Sequence, residues 1–147
     1  MADLEVVVEA LTGVELPSMR DEVLAAVEAL SNPDHQQAVW IEKKMPRPGY
    51  FDNLDLEIHR LFDDTTACED PDGSVPAILY PNEVEHFRRL GDVLRDLLDD
   101  HTLVTDADFI RDSRWLRVVA VAQEALTTMR KNGDGLGTRN VIRTDRA

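Results

Sequence analysis

The sequence contains a single cysteine, Cys68, so no internal disulfide and no multi-cysteine zinc site can form. Aromatic residues make up only 5% of the chain, which leaves Leu, Val, Ile and Ala to fill most of any core. No apolar run approaches the roughly 20 residues that a membrane-spanning helix needs, so no membrane partner is expected. Positive charge is scarce: 16 Lys and Arg stand against 29 Asp and Glu, for a net charge of −13. A nucleic-acid binder needs a basic stripe to displace counterions from phosphate, so no nucleic-acid partner is expected either. Met1-Ala2-Asp3-Leu4-Glu5 puts acids where a secretory signal needs bases, and the expected location is the cytoplasm.

What is present suits one folded domain. The 43% apolar content is near the globular average, and 147 residues can bury a core without covalent staples. The acidity is concentrated: residues 50–112 hold 17 acids against 5 arginines, so −12 of the −13 lies there. Such a surface steers a basic protein partner toward it. The plainer reading is that acidic surfaces keep proteins in solution. Arg outnumbers Lys 13 to 3 and Asp outnumbers Glu 18 to 11, a bias that a GC-rich or salt-adapted host would also produce.

Residues 54–100 organise the reading. Leu54-Asp55-Leu56-Glu57-Ile58-His59 alternates apolar and polar, which predicts a half-buried antiparallel strand running to Phe62, with a bulge near Arg60. Asp70-Pro71-Asp72-Gly73 predicts a hairpin turn, and Val75–Tyr80 the returning strand, placed at an edge by Pro76. A capped helix follows from Glu83 to about Asp100, with Val84, Phe87, Leu90, Leu94, Leu97 and Leu98 inward.

Before this stretch, Leu4, Val7, Val8, Leu11 and Val14 favour a short helix, although Val6–Val8 also suits a strand. Ser18 can cap a second helix with Met19, Val23, Val27 and Leu30 inward, and Asn32-Pro33 can start another at once. Val39-Trp40-Ile41 could end that helix or begin a strand. After it, Thr105–Asp108 is a capping sequence, and Asp112 can cap a last long helix lined by Trp115, Val118, Val119, Ala122, Leu126 and Met129. Gly133 stops that helix. The expected fold is therefore α+β: a small antiparallel sheet of two or three strands packed against about four helices. Residues 1–132 form the domain and 133–147 a flexible tail.

Candidate chemistry is sparse. His59 with Asp63 and Asp64 is a weak metal set, since no second histidine is placed to complete it. Asp70 and Asp72 resemble calcium-loop ligands but lack the closing glutamate, so a turn is the better account. Cys68 has no Cys-His signature around it, and His35, His86 and His101 are scattered on helical segments. Gly133-Asp134-Gly135-Leu136-Gly137 follows no strand and opens no helix, which argues against a phosphate loop. No cofactor is expected.

Val39-Trp40-Ile41, Gly49-Tyr50-Phe51-Asp52-Asn53-Leu54-Asp55-Leu56, Phe62-Asp63-Asp64 and Asp112 with Trp115 resemble a small group of uncharacterised acidic actinobacterial proteins over roughly residues 16–130. That resemblance brings no catalytic residue with it. In size and acidity the group is similar to immunity proteins that neutralise secreted toxins, an analogy rather than a motif. The leading expectation is a non-enzymatic, acidic protein-binding module of the immunity or antitoxin type, occluding a basic site on its partner. Its contact residues would be Asp52, Asp55, Glu57, Asp63 and Asp64, with Tyr50 or Phe51 as an apolar anchor. The alternatives are a metal-dependent hydrolase using His59 and its carboxylates, and a structural or regulatory subunit of a larger assembly. The oligomeric state is open.

Overall fold

A computed structural model of the chain describes residues 14–133. Pro17–Leu30 forms α1, and Asn32 then caps α2, a helical turn Pro33–His35 that widens into a π-helical segment Gln36–Ile41. Leu54–His59 forms α3 and continues as a second π-helical segment, Arg60–Asp64. Short 3₁₀ turns at Asp72–Ser74 and Pro81–Glu83 lead into α4, Val84–Leu98. Asp106–Arg111 is α5 and Trp115–Asn132 is α6. The long helices α1 and α4 both pack against α6, and α1 also contacts α3.

No strand occurs among the described residues, so the expected α+β fold and its antiparallel sheet are incorrect; the domain is helical. The cause is clearest in α3. Leu54, Leu56, Ile58 and Phe62 fit an alternation, but Leu54, Ile58, Leu61 and Phe62 also recur at i, i+4, i+7 and i+8. The alternation left Arg60 facing in and Leu61 facing out. The helix buries Leu61 completely and leaves Arg60 half-buried, with no bulge required. Asn53 decides the start: its Oδ1 accepts the Leu56 N–H at 2.8 Å, which satisfies a first-turn donor. Asp55 and Glu57 in that first turn also suit the positive end of the helix.

The second expected strand fails for a different reason. The N–H groups of Ile78 and Leu79 both bond back to the Ser74 carbonyl, coiling Val75–Ile78 into turns. The Asp70–Gly73 turn exists, with the Gly73 N–H on Asp70 Oδ1 at 3.1 Å, but it joins no hairpin. Val39–Ile41 is π-helical.

The helical expectations fare better. Asn32 accepts the His35 N–H, and Thr105 and Asp108 form a reciprocal capping box. The six residues named for the last helix are all buried, and Gly133 ends it at φ 96°. The earlier helix begins at Pro17 instead of being capped by Ser18. The helix expected near Leu4 and the chain after Gly133 lie outside the described residues.

Two polar knots tie the helices together. Arg20, 1% exposed on the inner face of α1, makes a bidentate pair with the buried Glu83 at 2.7 Å on each arm. The same guanidinium donates to the carbonyls of Ile78 and Gly133, at 3.0 and 3.2 Å. Gln36 forms the second knot. Its Nε2 donates to the carbonyls of Ala29 and Leu30, capping the end of α1, and its Oε1 accepts Trp115 Nε1–H at 2.9 Å.

Candidate functional site

Helices α1, α2 and α3 converge on an open cleft of about 270 Å³. Ala25, Glu28 and Ala29 line it from α1, Asn32 and His35 from the start of α2, and Glu57 and Arg60 from α3. Tyr50 and Phe51, in the segment between α2 and α3, form its aromatic wall. The π-helical segments of α2 and α3 adjoin this region.

Directly behind the cleft sits Asp52, 2% exposed. Its Oδ2 accepts Trp40 Nε1–H at 2.8 Å and lies 2.7 Å from His35 Nε2. With a carboxylate as partner, Nε2 is the donor of that bond. His35 is packed edge-on against both Trp40 and Tyr50, at 6.3 and 6.5 Å between ring centroids.

Asp52 Oδ1 meets no N–H or hydroxyl donor. The Glu57 carboxyl, itself 1% exposed, is the buried acid whose charge acts on Asp52. Glu57 is the more perturbed of the two acids. Burial, and then the bond to and negative charge of Asp52, push its carboxyl up to about 9. Arg60 opposes this in part, donating from Nη1 to both Glu57 oxygens at 3.1 and 3.2 Å. Burial would raise Asp52 as well, but the bonds from Glu57, His35 and Trp40 outweigh it and hold that carboxyl below its ordinary range. Burial first, then the charges of Asp52 and Glu57, raise the Tyr50 phenol.

The outer face of α3 is different in kind. Asp55, His59 and Asp63 recur at four-residue spacing and project outward, their side chains 81, 53 and 61% exposed. His59 Nδ1 lies 2.5 Å from Asp63 Oδ2, and Nε2 lies 3.6 Å from Asp55. The bond to Asp63, and then the charge of Asp55, raise the imidazole above its ordinary value. Asp64 is exposed beside them.

The expected contact residues therefore divide in two. Tyr50, Phe51 and Glu57 line the cleft, with the buried Asp52 behind it; Asp55, Asp63 and Asp64 stand on the outer helix face. A strand would have put Asp55 and Glu57 on one side, whereas the helical turn sends Glu57 inward. Among the described residues no group of three or more His, Cys, Asp or Glu is placed to hold a metal ion, His59, Asp63 and Asp64 included. Cys68 is buried and its thiol is pushed up by burial, which makes it a poor nucleophile. His86 bridges α4 and α6 through Thr128. In the sequence His35 is one of several scattered histidines, and only its spacing to Trp40 hints at a shared acceptor. Arg20 could have been found, because it falls on the α1 stripe three residues before Val23.

Fold and site together define a small helical domain with an acid–histidine cluster buried behind an aromatic-walled cleft. A family model described as Domain of unknown function (DUF7945) matches residues 14–135, and the chain belongs to that family. No curated protein and no solved structure matches it. No helix among the described residues is long and apolar enough to cross a membrane.

Proposed function

We propose that the protein is a non-enzymatic, acidic binding module that docks on a basic protein in the cytoplasm through Phe51 and the outer face of α3. The observation that carries this reading is the pairing of a 59% exposed phenylalanine with an outward run of Asp55, His59, Asp63 and Asp64 on the helix that follows it. An exposed aromatic supplies buried area at an interface, and the acids around it supply steering and register. The size and acidity shared with immunity proteins suggest inhibition by occlusion as the mode, with the partner's basic site covered rather than altered. A metal-dependent hydrolase has less behind it, since no three-residue ligand set is assembled among the described residues.

The test is a paired capture from the native host at low salt, with wild type and the triple charge reversal Asp55→Lys, Asp63→Lys, Asp64→Lys as baits. A basic protein retained by wild type, released by added salt and lost on the reversed bait is the expected result. Identical retention on both baits would remove this face as the contact surface. A retained set of assembly proteins without a toxin-like activity would redirect the reading to a regulatory subunit.

A further inference from the structure

The cleft between α1, α2 and α3 joins acidic walls to an aromatic rim. Among the described residues that line it, Glu28 and Glu57 are acids and Arg60 is the one arginine or lysine. Arg60 donates from Nη1 to both Glu57 oxygens. Behind them lies Asp52, and the π-helical segment Gln36–Ile41 holds it in place. His35, just before that segment, and Trp40 within it stand five residues apart, the repeat of a π-helix, and both bond the same oxygen, Oδ2. An α-helical turn would part them, since it brings residues three and four apart onto one face. Oδ1 of this 2% exposed carboxylate receives no donor. The acid whose charge meets that of Asp52 is Glu57, in the cleft wall. A buried acceptor left without a donor is costly, and the cleft is the open side of this cluster.

We infer that this cleft is a socket for one arginine side chain of a basic protein, with Phe51 as the aromatic face over the guanidinium and Glu28 as its first acceptor. Phe51 is 59% exposed, so its ring is open to a guest. Tyr50 beside it already carries the Arg47 guanidinium 4.8 Å from its ring centre, the same kind of pairing made within the chain. Glu28 is held loosely: Arg130 reaches it from α6 at 3.4 Å, and both side chains are exposed, a pairing of small worth. Its carboxylate is therefore free to exchange partners. Asp52 is bonded by an imidazole and an indole and by no guanidinium, so a second guanidinium in the cleft offsets a charge that Arg60 does not bond. The like charge of Arg60 keeps the guest to the Glu28 and Phe51 side. A guanidinium suits this site better than an ammonium, because it is planar, stacks on rings and is weakly hydrated. That the arginine belongs to a basic partner rests on the proposed docking, whereas the socket is tested with no partner present, so the two can fail separately.

The experiment is an NMR titration of the full, isotope-labelled chain with N-acetyl-arginine methylamide, which carries the charge of one arginine side chain. The chain has two indole N–H groups, Trp40 bonded to Asp52 and Trp115 bonded to Gln36. The Trp40 signal should shift to saturation, about threefold further than that of Trp115. Phe51→Ala and Glu28→Gln, both at exposed positions, should each weaken binding about threefold. The matching lysine probe should bind about threefold more weakly than the arginine one. A linear drift without saturation, or equal shifts of the two indoles, would overturn the socket. Unchanged affinity in both variants would place the probe elsewhere and overturn it too. Equal binding of the lysine probe would overturn the choice of arginine. The triple reversal of Asp55, Asp63 and Asp64 should keep a saturable Trp40 shift; its loss would move the contact to the outer face of α3. A failed capture beside saturable probe binding removes the partner and leaves the socket standing.

Discussion

Glu57 holds a proton in the folded protein that the unfolded chain gives up near the ordinary carboxylate value. Between that value and about 9 the folded state is the better proton binder, so stability falls as pH rises through this window. The slope approaches about 1.4 kcal/mol per pH unit at full effect. Asp52, held low, has the opposite sign: its contribution is present at neutral pH and is lost as pH falls below the ordinary carboxylate range. Replacing Glu57 by glutamine removes the first slope and keeps a donor. Chemical denaturation should find the Glu57→Gln variant gaining on wild type by up to about 4 kcal/mol between pH 5 and pH 8. Equal pH dependence in the two proteins would mean that Glu57 ionises normally. None of this was legible in the sequence, where Glu57 is one acid among 29. A pKa depends on what surrounds a group, and the groups that surround Glu57 come from four separate stretches of chain.

At the level of elements, α4 shows what close approach demands of a helix. Gly91 lies mid-helix, where glycine costs about 1 kcal/mol relative to alanine. A Cβ there would stand 3.0 Å from the Cys68 carbonyl oxygen, the same oxygen that Arg95 Nη2 holds at 2.9 Å. The glycine lets the 65–71 turn press against α4. Gly91→Ala should therefore destabilise the protein by about 1–3 kcal/mol despite its better helix propensity, visible as a lower denaturation midpoint. A gain in stability would mean that the turn gives way freely. The helices α1, α4 and α6 were readable from their apolar spacing because each is long enough for the 3.6-residue period to repeat. In α3, Leu-x-Leu-x-Ile satisfies both periods over five residues, and the cap at Asn53 together with burial of Leu61 resolved the choice. The six-residue Val75–Tyr80 stretch, with no cap and a proline inside, carried no period at all.

At the scale of the whole molecule, a net charge of −13 opposes compaction. Ion pairs relieve this locally: Arg114 alone engages Asp100 and Asp112 at 2.7 and 2.8 Å. The excess acids repel over distances comparable to the Debye length, about 10 Å at 0.1 M salt. Raising sodium chloride from about 0.02 to 0.5 M should lift the melting temperature by several degrees. A flat or falling response would place net stabilisation in the surface ion pairs, which salt also screens.

The sequence by itself determined the acidity, the long helices with most of their inward faces (Leu98, expected inside, is exposed), and the caps at Asn32 and Thr105. These follow from local spacing and from composition, which need no knowledge of neighbours. Only the tertiary structure decided that α3 is a helix, that Asp52 and Glu57 turn inward while Asp55 and Asp63 turn out, and that His35 and Trp40 meet Asp52 across the segment between α2 and α3. Burial and the shifts it causes are properties of contacts between elements, and those contacts arise when α1, α2 and α3 close around one another.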